Sequence, residues 1–299
     1  MPIQLRTGLS HMELQDRTRR SSDRRLSVGI CQLRQGYDVE ANIERACELI
    51  GLASGDGADI CVLPEMFSTP YEPVSIRRAA ALSASALERV CRKASELGVY
   101  VVAGSLPWPS GDGRLYNRAF VVDPKGEAVY HHDKIHLFDC APCGGPNVRE
   151  SETVAPGSSL GSFTTPWCRA SVIVCYDVRF VQLVQVLADM GVRLLFVPAA
   201  FSSATGEAHW EMLVRIRALE LQGYVVGVQP AVNEDLAYVP WGRSVLASPW
   251  GEVLARAGTD EEVIVTEIDM TYTDEIRSRF PLLAHRRADL YETRWKGKG

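Results

Sequence analysis

The 299-residue chain has no apolar run of the roughly 20 residues that a membrane-spanning helix requires. Its longest apolar stretches, such as 192–201, have the length of a β-strand. It also has no basic surplus, since 32 Lys and Arg stand against 37 Asp and Glu, for a formal net charge of −5. We therefore expect no membrane span and no nucleic acid partner. These absences favour chemistry on a small molecule.

The sequence also has few cysteines or histidines at the spacing of metal ligands. Most of the eight cysteines lie inside apolar runs, where a free thiol behaves as a small buried hydrophobe, and this indicates a reducing compartment. Cys140 and Cys143 form a CxxC pair, but a structural zinc site needs a second pair or two suitably spaced histidines. We predict no metal and interpret the pair as part of a loop. With no phosphate-binding loop visible, no cofactor is predicted either.

The first 25 residues are rich in Arg and Ser and lack a sustained apolar stretch. We interpret 1–25 as a flexible, solvated tail ahead of one domain over 26–299, because no linker divides the remainder. A secretory signal is excluded, since no apolar segment follows the arginines. A mitochondrial presequence is opposed by Glu13, Asp16 and Asp23. We therefore expect a cytoplasmic location, with a mitochondrial one as the alternative.

Strand-length apolar runs alternate with amphipathic runs of helix length, which is the pattern of an α/β fold. The pattern predicts helices over 39–53, 83–97, 178–190, 209–223 and 272–278. It predicts strands over 26–33, 58–64, 99–106, 115–122, 128–136, 169–174, 192–198, 224–232, 243–248, 252–257 and 263–268. The turn at 123–126, with Pro second and Gly fourth, joins two of these strands as a hairpin. The Gly- and Pro-rich segment 139–161 is predicted to be a long surface loop that acts as a lid.

Three reactive side chains lie at predicted strand ends, where functional groups collect in α/β sheets. Glu65 follows the strand 58–64, Lys134 lies near the end of the second hairpin strand, and Cys175 separates a strand from a helix. Each alone has an ordinary explanation, as a solvated Glu, a surface Lys or a core Cys. At a strand-to-helix turn, however, backbone N–H groups and the helix dipole stabilise a thiolate. Asp177 is expected to cap that helix.

A cysteine nucleophile needs a depressed pKa or a neighbouring base, because an ordinary thiol has a pKa of about 8.5. Glu65 is suited to take the thiol proton and pass it to a departing amine. Lys134 is suited to face the oxyanion of a tetrahedral intermediate. Two alternatives stay open: a Cys-His acyl hydrolase with His136 or His209 as its base, and a non-catalytic scaffold. Neither histidine has a recognisable orienting residue.

Three segments resemble, in order and spacing, the signatures of the nitrilase superfamily of carbon-nitrogen hydrolases: Leu63–Phe67, Lys134–Asp139 and Cys175–Phe180. The resemblance extends from about Leu26 to Tyr291. It implies a fourth catalytic residue, Glu150, in the segment 149–157. It further implies a four-layer α-β-β-α sandwich and a homodimer or higher homo-oligomer.

Several later segments are most similar to the omega-amidase branch of that superfamily: 198–201, 205–211, 241–244 and 249–255. This similarity implies hydrolysis, through a cysteine thioester, of the terminal amide of dicarboxylic acid monoamides such as 2-oxoglutaramate and succinamate. Another superfamily amidase, acting on deaminated glutathione or N-carbamoyl compounds, is the alternative.

The candidate substrate contacts are Tyr71, Tyr176, Arg179 and Phe201, together with the loop 139–149. For Arg179 we favour a structural ion pair near the site, with carboxylate binding as the alternative. The chain departs from the family at His132 and Asp133, where a tyrosine and a basic residue are usual, and we expect this departure to affect the pocket rim.

Overall fold

The computed structural model of the protein describes residues 24–111 and 113–297. The predicted tail therefore lies outside the described residues except for Arg24 and Arg25, and Arg25 already opens the first strand. Among the described residues, no helix combines the length and the apolar character needed to cross a membrane.

The first half of the described chain alternates strands and helices as the pattern predicted. In order, the elements are β1 (Arg25–Gln32), α1 (Val39–Gly55), β2 (Ile60–Val62), α2 (Pro73–Ala79), α3 (Ser83–Leu97), β3 (Tyr100–Val102), β4 (Leu106–Pro109), β5 (Leu115–Val122), β6 (Ala128–Asp133), β7 (Asp139–Cys140) and β8 (Val148–Arg149). The predicted hairpin is confirmed as β5 and β6. The predicted strand 99–106 is two strands, because Gly104 between them adopts a positive φ of 42°. Segment 139–161 is not wholly irregular, since β7 pairs with β8.

The second half follows the same alternation. Its elements are β9 (Phe163–Thr164), β10 (Arg169–Val172), α4 (Val181–Asp189), β11 (Leu194–Pro198), α5 (Glu211–Leu221), β12 (Tyr224–Val228), β13 (Val245–Ala247), β14 (Val253–Arg256), β15 (Glu262–Asp269) and α6 (Thr271–Arg279). A helical turn, Ser203–Thr205, and a π-helical turn, Gly206–Trp210, lead into α5.

Two large sheets form from these strands, besides the two-stranded pair of β7 and β8. The first has the order β15-β1-β2-β3-β5-β4, with β6 on β5; β1, β2 and β3 run parallel. The second has the order β14-β13-β12-β11-β10-β9, with β10, β11 and β12 parallel. The last strand of the chain, β15, thus returns to pair antiparallel with β1.

Alternating side chains pack the two sheets face to face and place helices outside. From β1 and β2, Val28 and Ile60 join a buried cluster that includes Phe196 of the second sheet. The intervening Cys31 and Cys61 face the other way, into a cluster with the apolar sides of α1 and α3. Helices α4 and α5 cover the second sheet. The expected α/β class and four-layer α-β-β-α sandwich are confirmed.

Candidate active site

The four candidate catalytic residues lie in one buried cluster with Lys134 at its centre. The Lys134 ammonium donates to Glu65 Oε1 at 3.0 Å and to Glu150 Oε2 at 2.8 Å. It also donates to the Tyr71 hydroxyl at 3.3 Å. The Cys175 thiol lies close enough to the Glu65 carboxyl for the two groups to shift each other's pKa. The side chains of the two glutamates and the lysine are at most 1% exposed, so their charges interact with little screening.

Glu65 is held at the end of β2 by close backbone packing. Gln35 Nε2 donates to the Met66 carbonyl at 2.8 Å, and the Met66 N–H donates to Ser105 Oγ at 2.9 Å. Met66 itself has a positive φ of 49°. A Cβ on Gly104 would lie 1.9 Å from the Pro64 carbonyl oxygen, so only glycine permits this approach of the neighbouring strand.

Lys134 and Glu150 lie in the segment that follows β6, and hydrogen bonds hold both in place. The Lys134 N–H donates to the Asn117 carbonyl at 2.9 Å, and the Gly157 N–H donates to the Lys134 carbonyl at 2.8 Å. A Cβ on Gly157 would lie 2.1 Å from the Asp133 carbonyl oxygen. The Phe138 N–H donates to Glu150 Oε2 at 2.7 Å and so orients that carboxylate toward the lysine.

Cys175 stands on a strained turn after β10. Its φ is +47°, a conformation that costs an L-residue roughly 1–2 kcal/mol. The turn over Cys175–Arg179 is a 3₁₀ helix, and α4 begins only at Val181. The predicted helix start at 178 was therefore wrong, and Cys175 is separated from the α-helix N-terminus that was expected to stabilise its thiolate.

Burial keeps the site's thiol neutral, whereas the two glutamates keep its lysine charged. Burial raises the pKa of Cys175 well above its usual range; the Glu65 charge raises it further, whereas Lys134 lowers it. Burial alone would lower the pKa of Lys134, but Glu150 and Glu65 raise it well above its usual range. Burial also raises the pKa of Glu65, against the opposing charge of Lys134. Of the two routes to an active thiol, the geometry supports a neighbouring base.

Asp177 contacts two histidines rather than only a helix start. Its carboxylate lies 3.0 Å from His132 Nε2 and 2.8 Å from His136 Nδ1, and it accepts from the Val174 N–H at 3.2 Å. Burial would raise the pKa of Asp177, but the histidine hydrogen bonds hold it well below its usual range. His132 is thus buried behind the site, and the expectation that it affects the pocket rim was wrong.

The histidines of the alternative mechanism are also engaged elsewhere. His136 stacks on Phe180 with ring centroids 3.5 Å apart, besides its contact with Asp177. His209 Nδ1 lies 3.3 Å from Arg179 Nη1. Neither histidine lines the cavity that Cys175 faces. The geometry therefore favours Glu65 over either histidine as the partner of the thiol.

A cavity opens at Cys175. Its lining includes all four predicted substrate contacts, Tyr71, Tyr176, Arg179 and Phe201, and further residues that sequence reasoning missed: Phe138, Ala200, Thr205 and Tyr238. The lining contains no residue of 139–149, so this loop does not form the cavity wall as predicted. Its contact with the site is indirect, through Cys140 Sγ, which lies 3.4 Å from the Tyr176 hydroxyl.

Arg179 brings a positive charge to this cavity without an acidic partner among the residues that the structure describes. Its guanidinium lies 4.9 Å from the centre of the Phe201 ring and 5.8 Å from that of Tyr176. The structural ion pair favoured for Arg179 is therefore wrong for the described residues. A cation held over two aromatic rings is suited to bind an anionic group.

Asn117 is a further polar residue that the sequence analysis missed. It lies in β5 and is 1% exposed, and its amide reaches both Glu65 and Glu150. The sequence shows an asparagine inside an otherwise strand-forming run. This does not identify a buried polar residue, because in many sheets half of the positions in such a strand face solvent.

Comparisons with known proteins point in one direction. The sequence model of a family described as carbon-nitrogen hydrolase matches residues 27–278. Omega-amidase NIT2 of Xenopus tropicalis is 44% identical over 256 residues, which cover 85% of this chain and 92% of that protein. The crystal structure of Saccharomyces cerevisiae Nit3, a member of branch 10 of the nitrilase superfamily, has a TM-score of 0.80 at 30% identity, covering 88% of this chain and 97% of that chain.

A mutant amidase from Nesterenkonia sp. AN1 is also similar in structure, with a TM-score of 0.73 at 26% identity. The match covers 89% of this chain and 94% of that chain. In that amidase the acetamide moiety of fluoroacetamide is added covalently at the active-site cysteine.

Proposed function

Because this chain belongs to the carbon-nitrogen hydrolase family and is an amidase of the nitrilase superfamily, we propose that its substrates are short dicarboxylic acid monoamides. The terminal amide is hydrolysed to the acid and ammonia, with 2-oxoglutaramate and succinamate as the expected substrates. The observation that carries this proposal is the Arg179 guanidinium, which shares the cavity of Cys175 and has no acidic partner among the described residues.

The cavity separates a reacting end from an anion-binding end. Cys175 lies at the reacting end and Arg179 at the anion-binding end. The rings of Phe201 and Tyr176 form an apolar wall between them. The Tyr71 hydroxyl, which was the other candidate for the carboxylate, already accepts from Lys134. We therefore assign the substrate carboxylate to Arg179, where a charge-assisted hydrogen bond forms away from bulk water.

In the acylation step, Glu65 takes the proton of the Cys175 thiol as sulfur attacks the amide carbon. The carbonyl oxygen becomes an oxyanion, which the Lys134 ammonium and the Tyr176 backbone N–H stabilise. All three ammonium hydrogens have partners in the structure, and the longest of these contacts, to Tyr71 at 3.3 Å, is the one most easily redirected to the oxyanion. The C–N bond then breaks, and Glu65 returns its proton to the departing nitrogen as ammonia leaves.

The thioester is hydrolysed by the same groups in reverse order. Glu65 takes a proton from water as the water oxygen attacks the acyl carbon, and Lys134 again faces the oxyanion. The C–S bond breaks, the carboxylic acid leaves, and Glu65 reprotonates the thiol. Glu150 keeps Lys134 in place through both steps. The covalent adduct on the cysteine of the Nesterenkonia amidase supports Cys175 as the nucleophile.

The first prediction is a ranking of substrates measured by ammonia release from the purified protein. We expect succinamate or 2-oxoglutaramate to exceed glutamine, asparagine, N-carbamoyl amino acids, deaminated glutathione and simple nitriles in kcat/KM. In Arg179→Met, kcat/KM for succinamate should fall roughly 10- to 100-fold, because a hydrogen bond to a charged group contributes about 1.5–3 kcal/mol.

Butyramide is the matched control substrate, since it has the length of succinamate without the carboxylate. Its hydrolysis should be unchanged in Arg179→Met, and Arg215→Met on the half-exposed face of α5 should change neither substrate. A nitrile or carbamoyl compound that outpaces both ω-amides would place the protein in another branch and contradict the proposal.

We also propose that the protein is a homodimer. Met212, Ile216 and Leu219 lie three to four residues apart on the outer face of α5 and are 37–60% exposed. Trp250 adjoins this face next to Gly251 and packs edge-on against the exposed Phe280. An apolar patch of this extent is typical of a surface that another chain covers.

The second prediction is that the wild type elutes at twice the chain mass in size-exclusion chromatography with light scattering. Ile216→Glu should shift it to the monomer, because a charge buried at an interface is costly. Leu52→Glu, at an exposed apolar residue of α1 that is 53% exposed, is the control and should remain dimeric. Elution of the wild type as a monomer would contradict this proposal.

A further inference from the structure

The Asn117 amide lies between the two buried glutamates. Its Nδ2 donates to Glu65 Oε1 at 2.7 Å and to Glu150 Oε1 at 3.1 Å. The amide oxygen, Oδ1, is buried and has no hydrogen-bond partner among the described residues. Because both neighbours are carboxylate oxygens, the NH₂ group and not the oxygen must face them.

An unpaired buried acceptor destabilises a fold, and an apolar residue of similar size in β5 would avoid this cost. Asn117 therefore has a feature that packing alone does not explain. The backbone contacts of Asn117 do not depend on its side chain. Its carbonyl accepts from the Lys134 N–H, and β5 pairs with β4 and β6. What the side chain adds is two N–H donors aimed at carboxylates.

These donors distinguish the two oxygens of Glu65. Oε1 accepts both from Asn117 at 2.7 Å and from Lys134 at 3.0 Å, which occupies its lone pairs. Oε2 is buried and accepts from no nitrogen or hydroxyl group among the described residues. The proton of the Cys175 thiol can therefore pass to Oε2 without displacing another donor.

The donors also balance the charge of the cluster. Two carboxylates share one ammonium, so each raises the energy of the other's ionised form. The groups that face Glu65 are Lys134, Glu150, the Cys175 thiol and the hydroxyls of Tyr71 and Tyr238. Of these neighbours, Lys134 alone is cationic, and Asn117 adds neutral donors that stabilise both carboxylates.

We propose that Asn117 is a positioning residue that keeps Glu65 ionised and presents its Oε2 to the Cys175 thiol. This inference rests on the proposed amidase chemistry, in which Glu65 is the base. It predicts that the amide side chain sets the pH range of the reaction as well as its rate.

The test is the pH dependence of kcat/KM for succinamate in wild type, Asn117→Leu and Asn117→Asp. In both variants we expect kcat/KM near neutral pH to fall roughly 10- to 100-fold. We also expect the acidic limb of the pH–rate profile to move upward by about one pH unit or more, because removing a donor from a carboxylate raises its pKa. Asn117→Asp keeps the shape of the side chain and remains informative if the leucine variant does not fold, which circular dichroism would show.

Asn42→Leu is the matched control. Asn42 is also a buried asparagine with two Nδ2 hydrogen bonds, but these go to the carbonyls of Gly36 and Ser68. The control should keep the wild-type position of the acidic limb even where its thermal stability falls. Activity of both Asn117 variants within threefold of wild type, or acidic limbs that coincide with the wild-type limb, would overturn the proposal.

A second readout separates this inference from the proposed function. The rate of Cys175 alkylation by iodoacetamide, followed against pH by peptide mass spectrometry that separates it from the other free cysteines, reports on the thiol and its base without a substrate. If the acidic limb of the wild-type alkylation profile moves to a different pH in the Asn117 variants, the inference is supported even if succinamate is not hydrolysed. A wild-type limb that does not move in the variants contradicts the role of Asn117 alone.

Discussion

Cys175→Ala should lower the turnover of succinamate by about 10⁴-fold or more, because removal of a nucleophile abolishes the covalent route. The thiol lines the cavity, lies beside Glu65 and occupies a strained turn with a positive φ. Rapid acid quench of the wild type during turnover, followed by peptide mass spectrometry, should find the acyl group on Cys175.

The other cysteines of this region supply the controls for that experiment. Cys140→Ala and Cys143→Ala should turn over at nearly the wild-type rate, because neither thiol lines the cavity. Cys168 is disfavoured as a nucleophile, since it does not line the cavity either. An adduct on any of these three residues, or ordinary turnover by Cys175→Ala, would refute the assignment.

Glu65→Gln should lower kcat/KM by about 10²- to 10⁴-fold, the usual contribution of a general base. The wild-type rate should decline as pH falls through the pKa of Glu65, which burial raises above the usual range of a glutamate, because only the ionised carboxyl accepts the thiol proton. Glutamine cannot ionise, so this acidic limb should be absent in the variant, together with the burst of acyl-enzyme.

Glu150→Gln is the contrasting variant for this experiment. Glu150 acts through its 2.8 Å contact with Lys134 and does not itself take the thiol proton, so the Glu150→Gln variant should still form the adduct and hydrolyse it slowly. Loss of the adduct in Glu150→Gln and its retention in Glu65→Gln would reverse the roles proposed for the two glutamates.

The sequence was informative about the site wherever a residue's position along the chain determined its place in the fold. Glu65, Lys134 and Cys175 follow strands, where functional groups collect in α/β folds, so each could be identified as a candidate from its position along the chain. Glu150 follows only the two-residue strand β8, which the sequence pattern did not predict, and it was identified through the family resemblance. Asn117 lies inside a strand, where only the observed packing reveals which face is buried.

Other features depended on long-range contacts that local patterns do not contain. Helix α2 was missed because its seven residues include Pro73 and adjacent arginines, and it bears only two buried residues, Ile76 and Ala79. The ion-pair interpretation of Arg179 failed because the helix-surface pattern could not show that the guanidinium faces a cavity. The cavity wall formed by Tyr238 comes from a loop with no periodicity.

The two-sheet construction places the reacting groups on different layers of the sandwich. Glu65 and Lys134 follow strands of the first sheet, whereas Cys175 follows β10 of the second. A small slide of one sheet over the other would leave both ladders of backbone hydrogen bonds intact and yet separate the base from the thiol. Asp177 opposes such a slide, because it follows Cys175 closely and binds His132 at the end of β6. Catalytic competence in this protein is therefore a property of how the two sheets pack against each other, and neither sheet alone contains the complete site.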